Sequence, residues 1–170
     1  MSSRSDQVFQ NLKSAEQKFE YFILGVAVAL FAYIGEKNTP QPISFSQNSF
    51  ELLALVLLVV SIFSGFKRIE KNITSQTVNY SKLEASNKLG SYKKALMSAE
   101  LQIESSGEIF NPQKAVNKIK FLEEKAIPRY MELMKEINGQ SVLLYKVRNW
   151  SLLLSFISLI IAKVVGGYLK

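Results

Sequence analysis

Lysines are the residues through which this chain could do chemistry, and they come in clusters. Lys88, Lys93 and Lys94 fall within seven residues, and Lys114, Lys118 and Lys120 within another seven. Ammonium groups at that density concentrate positive potential and attract anions. Nucleotides or short oligonucleotides are natural ligands for such a surface. Lysine is a compact point charge that confers little specificity, so the competing account is a topological charge excess on solvated helix faces. One further lysine, Lys163, interrupts the apolar run 150–169. A charge there is costly and by default functional, unless its stem carries the ammonium to the surface. In the same run Ser151, Ser155 and Ser158 lead into Ala162 and Gly166 at steps of three and four, and Ser61 and Ser64 lie in a second apolar run. Hydroxyls so spaced serve either close helix packing or a mildly polar pore lining. The pore-lining or gating set is then Ser61, Ser64, Ser151, Ser155, Ser158 and Lys163. In a ring of chains, Lys163 would set positive charge near one mouth and disfavour cations. Histidine and cysteine are absent. That removes the usual general base, the commonest metal ligand and any disulfide framework. No glycine-rich phosphate loop, nucleophile elbow or metal-ligand spacing occurs. The expectation is a protein without catalytic residues, cofactor or metal.

Three apolar stretches must position these groups. They are 21–35, 52–66 and 150–169. The first two have 15 residues each and no charge, and flanking Phe19, Ile43, Phe45 and Phe50 extend them toward the roughly 20 residues a membrane span needs. Orientation follows the lysines and arginines. Arg4, Lys13 and Lys18 precede the first stretch, Lys67, Arg68 and Lys71 follow the second, and Lys146 and Arg148 precede the third, whereas 36–51 contains only Lys37. The N-terminus and 67–149 read as cytoplasmic, and 36–51 as external. The inner segment carries 15 of the 21 basic and nine of the 14 acidic residues, so +6 of the net +7 resides there.

The organisation that results has four parts. Residues 1–20 form an amphipathic helix with Val8, Phe9, Leu12, Ala15 and Phe19 on one face, lying on the inner leaflet or acting as a movable gate. Residues 21–66 form a transmembrane hairpin whose first span shows a packing stripe of Gly25, Ala29 and Ala32. Residues 67–149 form a cytoplasmic helical hairpin. Its first helix carries Ile69, Ile73, Tyr80 and Leu83, then Leu89, Tyr92, Leu96, Ala99 and Ile103, with a kink at Gly90 between the sets. Ser105-Ser106-Gly107 ends it. A second helix starts near Gln113 with Val116, Ile119, Leu122, Ala126, Tyr130, Leu133 and Ile137 on one face. Pro128 predicts a kink, and Asn138-Gly139 predicts a C-cap before a new helix. Residues 150–170 form a C-terminal apolar helix. The fold class is therefore all-α: an integral membrane protein with two or three transmembrane helices and a long cytoplasmic hairpin. Short spans and seams without partners point to a homo-oligomer.

The pattern of a two-span hairpin, a short external loop and a long basic helix (GFKRIEKN, then NYSKLEASNKLGSYKKALMSAE) resembles the SLATT superfamily. That resemblance implies a bacterial pore-forming effector of the inner (plasma) membrane, in an anti-phage setting that uses nucleotide signals. Two other readings stand beside it. One is a membrane-anchored scaffold or adaptor whose hairpin binds a partner protein. The other is a holin-like protein that makes membrane lesions. The partners expected on the principal reading are further copies of the chain, the lipid bilayer and a nucleotide or oligonucleotide ligand.

Overall fold

A computed structural model describes residues 4–38, 46–97 and 111–168. Among these the chain is all-helical, with no strand. Helix α1 spans Arg4–Lys37, α2 Gln47–Met97, α3 Pro112–Phe121 and α4 Ile127–Tyr168, and a single π-helical turn, Leu122–Ala126, joins α3 to α4. Three helices are long and apolar enough to cross a membrane: α1 from Ser14, α2, and the α3–α4 run. The chain divides into two compact units, one of Met1–Ile69 with Val142–Lys170, the other of Glu70–Ser141.

The first unit packs the later part of α1, the start of α2 and the end of α4 around Ala27, Ile34 and Leu58. Leu30, Leu55, Ile62, Leu152 and Leu159 close over that core. Only 22–28% of each apolar helix window is buried inside the chain. Phe22, Phe63, Trp150 and Ile160 all face outward, each more than half exposed. Water does not tolerate so continuous an apolar surface on a monomer, whereas hydrocarbon or further copies of the chain would cover it.

The rotation of α1 differs from the expected one. Gly25, Ala29 and Ala32 are exposed, and the face turned to the other helices is Glu20, Leu24, Ala27 and Ile34. The reason is angular. At 100° per residue, Leu24, Ala27 and Ile34 lie within about 40° of Glu20, while Gly25, Ala29 and Ala32 lie roughly 120–180° away. Burying Glu20 turns the small-residue stripe outward.

The second unit also departs from its expected pattern. Helix α2 runs unbroken through Gly90. Leu83 and Leu89 are six residues apart, so in a straight helix they point about 120° apart. Leu89 and Tyr92 are accordingly half-buried, whereas Ile73, Tyr80 and Leu83 face outward. Val78 and the buried Ala85 take the inward places. Ala99, Ile103 and Ser105-Ser106-Gly107 lie outside the described residues.

Helix α3 starts on the Asn111 cap, whose Oδ1 accepts from Gln113 N–H at 3.0 Å and Lys114 N–H at 3.2 Å. Pro112 fills the first helical position, where no N–H is needed. Pro128 cannot donate to the carbonyl of Glu124, and its ring excludes that oxygen. The chain answers with the widened turn Leu122–Ala126, closed by Ile127 N–H to the Leu122 carbonyl, rather than with a break. The expected stop at Asn138-Gly139 does not occur, because α4 continues through both residues. Ser75 Oγ donates to Asn138 Oδ1 at 3.3 Å, and Ser141 Oγ to Asn72 Oδ1 at 3.0 Å. Such ties and the packing of buried Ile137 outweigh the roughly 1 kcal/mol that an interior glycine costs a helix.

Candidate functional site

The most unusual chemistry in the first unit is a buried charge cluster to which each of the three helices contributes one residue. Glu20 of α1 is 5% exposed, Arg68 of α2 9% and Arg148 of α4 1%. One Glu20 oxygen accepts from Arg68 Nη1 and the other from Arg148 Nη1. A single carboxylate therefore bridges two guanidinium groups. Exposed Glu16, one turn earlier on α1, accepts from Arg68 Nη2 at 3.1 Å. Arg148 Nε donates to Asn149 Oδ1 at 3.1 Å. The Tyr145 ring serves both cations, with its centroid 4.5 Å from the Arg68 guanidinium carbon and 5.3 Å from that of Arg148. Gly65 makes room: a Cβ there would sit 3.1 Å from Leu24 Cδ1 and 3.5 Å from Arg148 Cδ. Arg68 Nε is buried without a hydrogen-bond partner. The cluster is legible in hindsight, because each apolar stretch ends in one of these charges at the same end of the hairpin. Sequence reasoning used Arg68 and Arg148 only to set orientation and gave Glu20 no part in it.

The five serines expected to line a pore, Ser61, Ser64, Ser151, Ser155 and Ser158, are all buried in this unit. Ser61 Oγ donates to the Arg148 carbonyl at 3.1 Å, tying α2 to α4. Ser158 Oγ donates to the Phe50 carbonyl at 2.7 Å and ties them again nearer the other end. Ser151 and Ser155 donate back to their own helix, at 2.7 Å to Val147 and Leu152. In this conformation the stripe is a helix contact. Lys163 stands apart from the serines, exposed, on a pocket it shares with Lys37, Gln47 and Glu51.

In the second unit, two of the six clustered lysines come together. Lys88 and Lys118 line one groove of 320 Å³ with Tyr92, Asn117, Phe121 and Leu122. Lys118 Nζ lies 5.1 Å from the Tyr92 ring centroid. Lys88 Nζ pairs with Glu84 Oε1 at 2.7 Å. The hydrogen bond and charge of Glu84 push the Lys88 ammonium above the ordinary lysine value. Lys93 is turned to Glu123, 2.5 Å away. Lys94, Lys114 and Lys120 are exposed and lie outside the lining of the groove. The groove thus offers two cations, an amide and two aromatic faces, which suits an anion carrying a flat ring. A scan of protein-family models and searches of curated proteins and of solved structures yield no match to this chain.

Proposed function

We propose that this chain is a multi-pass protein of the bacterial inner membrane that assembles with its own copies into a gated channel or pore. Residues 1–20 and 67–149 are cytoplasmic on this reading, following the lysine and arginine excess. The observation that carries it is the contrast between the inside and the outside of the helical unit. The interior is filled by Ala27, Leu58, Ser61 and Ser155, and the exterior leaves most of three apolar helices uncovered. One chain has too few helices to enclose a conducting path, so a path must lie between copies. Helix α1 presents Gly25, Ala29 and Ala32 outward, a face on which another helix could approach closely. The described conformation is then a closed one. Opening it onto Ser151, Ser155 and Ser158 would require α2 and α4 to part.

Control comes from the cytoplasmic unit. The Lys88–Lys118 groove would take the signal, a nucleotide or short oligonucleotide, in keeping with the SLATT resemblance and its anti-phage setting. A second reading, an adaptor, draws on the outward Ile73, Tyr80 and Leu83, which a different protein could cover.

The deciding experiment joins mass to conductance. Light scattering of the detergent-solubilised chain should give a multiple of 19.2 kDa. The same material should conduct in planar bilayers, with open probability changed by nucleotide in the wild type but not in Lys88→Glu/Lys118→Glu. A monomeric mass ends the channel reading, and an oligomer that never conducts favours the adaptor.

A further inference from the structure

The outward end of the helical unit, opposite the charge cluster, holds a pocket of 370 Å³ between α1, α2 and α4. Its floor is apolar and includes Leu30 and Leu159; its rim carries Lys37, Gln47, Glu51 and Lys163. The rim is partly organised already. Gln47 Nε2 donates to Glu51 Oε1 at 2.7 Å, which fixes the carboxylate. Gln47 itself folds against Gly166, where any side chain would collide with it. Lys37 Nζ donates to Tyr33 Oη at 2.7 Å and sits 4.3 Å from that ring's centroid. Lys163 has neither an ion pair nor a hydrogen bond to any described residue, although it interrupts the apolar run 150–169. An ammonium on an apolar helix needs an anion or water.

We infer that this pocket seats one phospholipid of the adjoining leaflet, by its headgroup. The phosphate lies toward Lys37 and Lys163, a primary ammonium of the headgroup lies on Glu51, and the glycerol end runs along Leu30 and Leu159. Two cations beside one fixed carboxylate match a phosphate beside an amine, and an apolar floor opening from a polar rim matches an amphiphile rather than a soluble phosphate. This assignment rests on the membrane reading above. It needs neither conductance nor a particular number of copies, so the two can fail separately.

Native mass spectrometry of the full chain, released from non-ionic detergent after incubation with defined lipids, tests it. Phosphatidylethanolamine should remain bound at one molecule per chain, at least tenfold above uncharged diacylglycerol. Lys37→Met/Lys163→Met should remove that margin, and Lys163→Arg should keep it. Glu51→Gln should abolish the preference for phosphatidylethanolamine over phosphatidylglycerol and leave total phospholipid retention intact, which also shows that a variant at this rim folds. Equal retention of diacylglycerol, or wild-type retention in the double methionine variant, overturns the site. Displacement of the bound lipid by millimolar inorganic phosphate overturns the lipid as its occupant.

Discussion

One carboxylate, Glu20, answers two guanidinium groups in a place where all three are largely closed off from solvent. Whether such a cluster stabilises a fold relative to apolar residues of the same size varies, but removing one member costs heavily, because the remaining charges stay buried and unpaired. Glu20→Gln should therefore lower stability by about 3–5 kcal/mol, read as the thermal unfolding of the solubilised chain. Glu16→Gln is the matched control. Its carboxylate reaches the same Arg68 but is 60% exposed, so the loss should stay within about 1 kcal/mol. Similar small losses from both would mean that water reaches the cluster and that it holds nothing together. At this scale the sequence drew attention to residues other than the buried cluster, for a plain reason. Lysine clusters and serine stripes are visible as local patterns. Arg68 and Arg148 lie 48 and 128 positions beyond Glu20, and their meeting depends on three helices being folded together.

Helices were more legible than their rotations. The apolar runs, the helix start near Gln113 and the disturbance at Pro128 were readable because caps and prolines act within a turn or two. Gly90 and Asn138-Gly139 misled, since their weak helix-breaking preference is overridden by tertiary contacts that no local pattern contains. The facing of α1 was equally hidden: two stripes competed for the interior, and the one ending in a charge won. That outcome gives a sharp test of assembly. Apart from its two chain neighbours and its own helix backbone, no atom of the described residues lies within 4 Å of where a Gly25 side chain would begin. Gly25→Phe should therefore leave the unfolding temperature of the single chain unchanged. If copies meet along this stripe, the same substitution should reduce the solubilised mass to that of a monomer or a smaller assembly. An unchanged mass would place the contact between copies on another face.

For the molecule as a whole, the all-helical class and the three long apolar helices were evident from composition and run length alone. What the sequence could not supply was the difference between a serine that faces a path and a serine that ties two helices. Ser61 and Ser158 would look alike in either role, and only their acceptors, carbonyls of Arg148 and Phe50, separate the two.

The bridging carboxylate also bears on how the chain is made. Synthesis proceeds from the N-terminus, so Glu20 is in place 128 residues before Arg148 exists. At roughly 5–20 residues per second that interval is about 6–26 s. During it, the first helical hairpin carries an interior with one of its two cations missing. A newborn chain is thus incomplete in charge as well as in length until its last helix docks. Chains stopped after Ser141 should be cleared rapidly in pulse–chase labelling, and a separately expressed 142–170 segment should lengthen their lifetime. The same segment carrying Arg148→Met should not, and if it protects equally well, the rescue comes from covering apolar surface rather than from completing the charge.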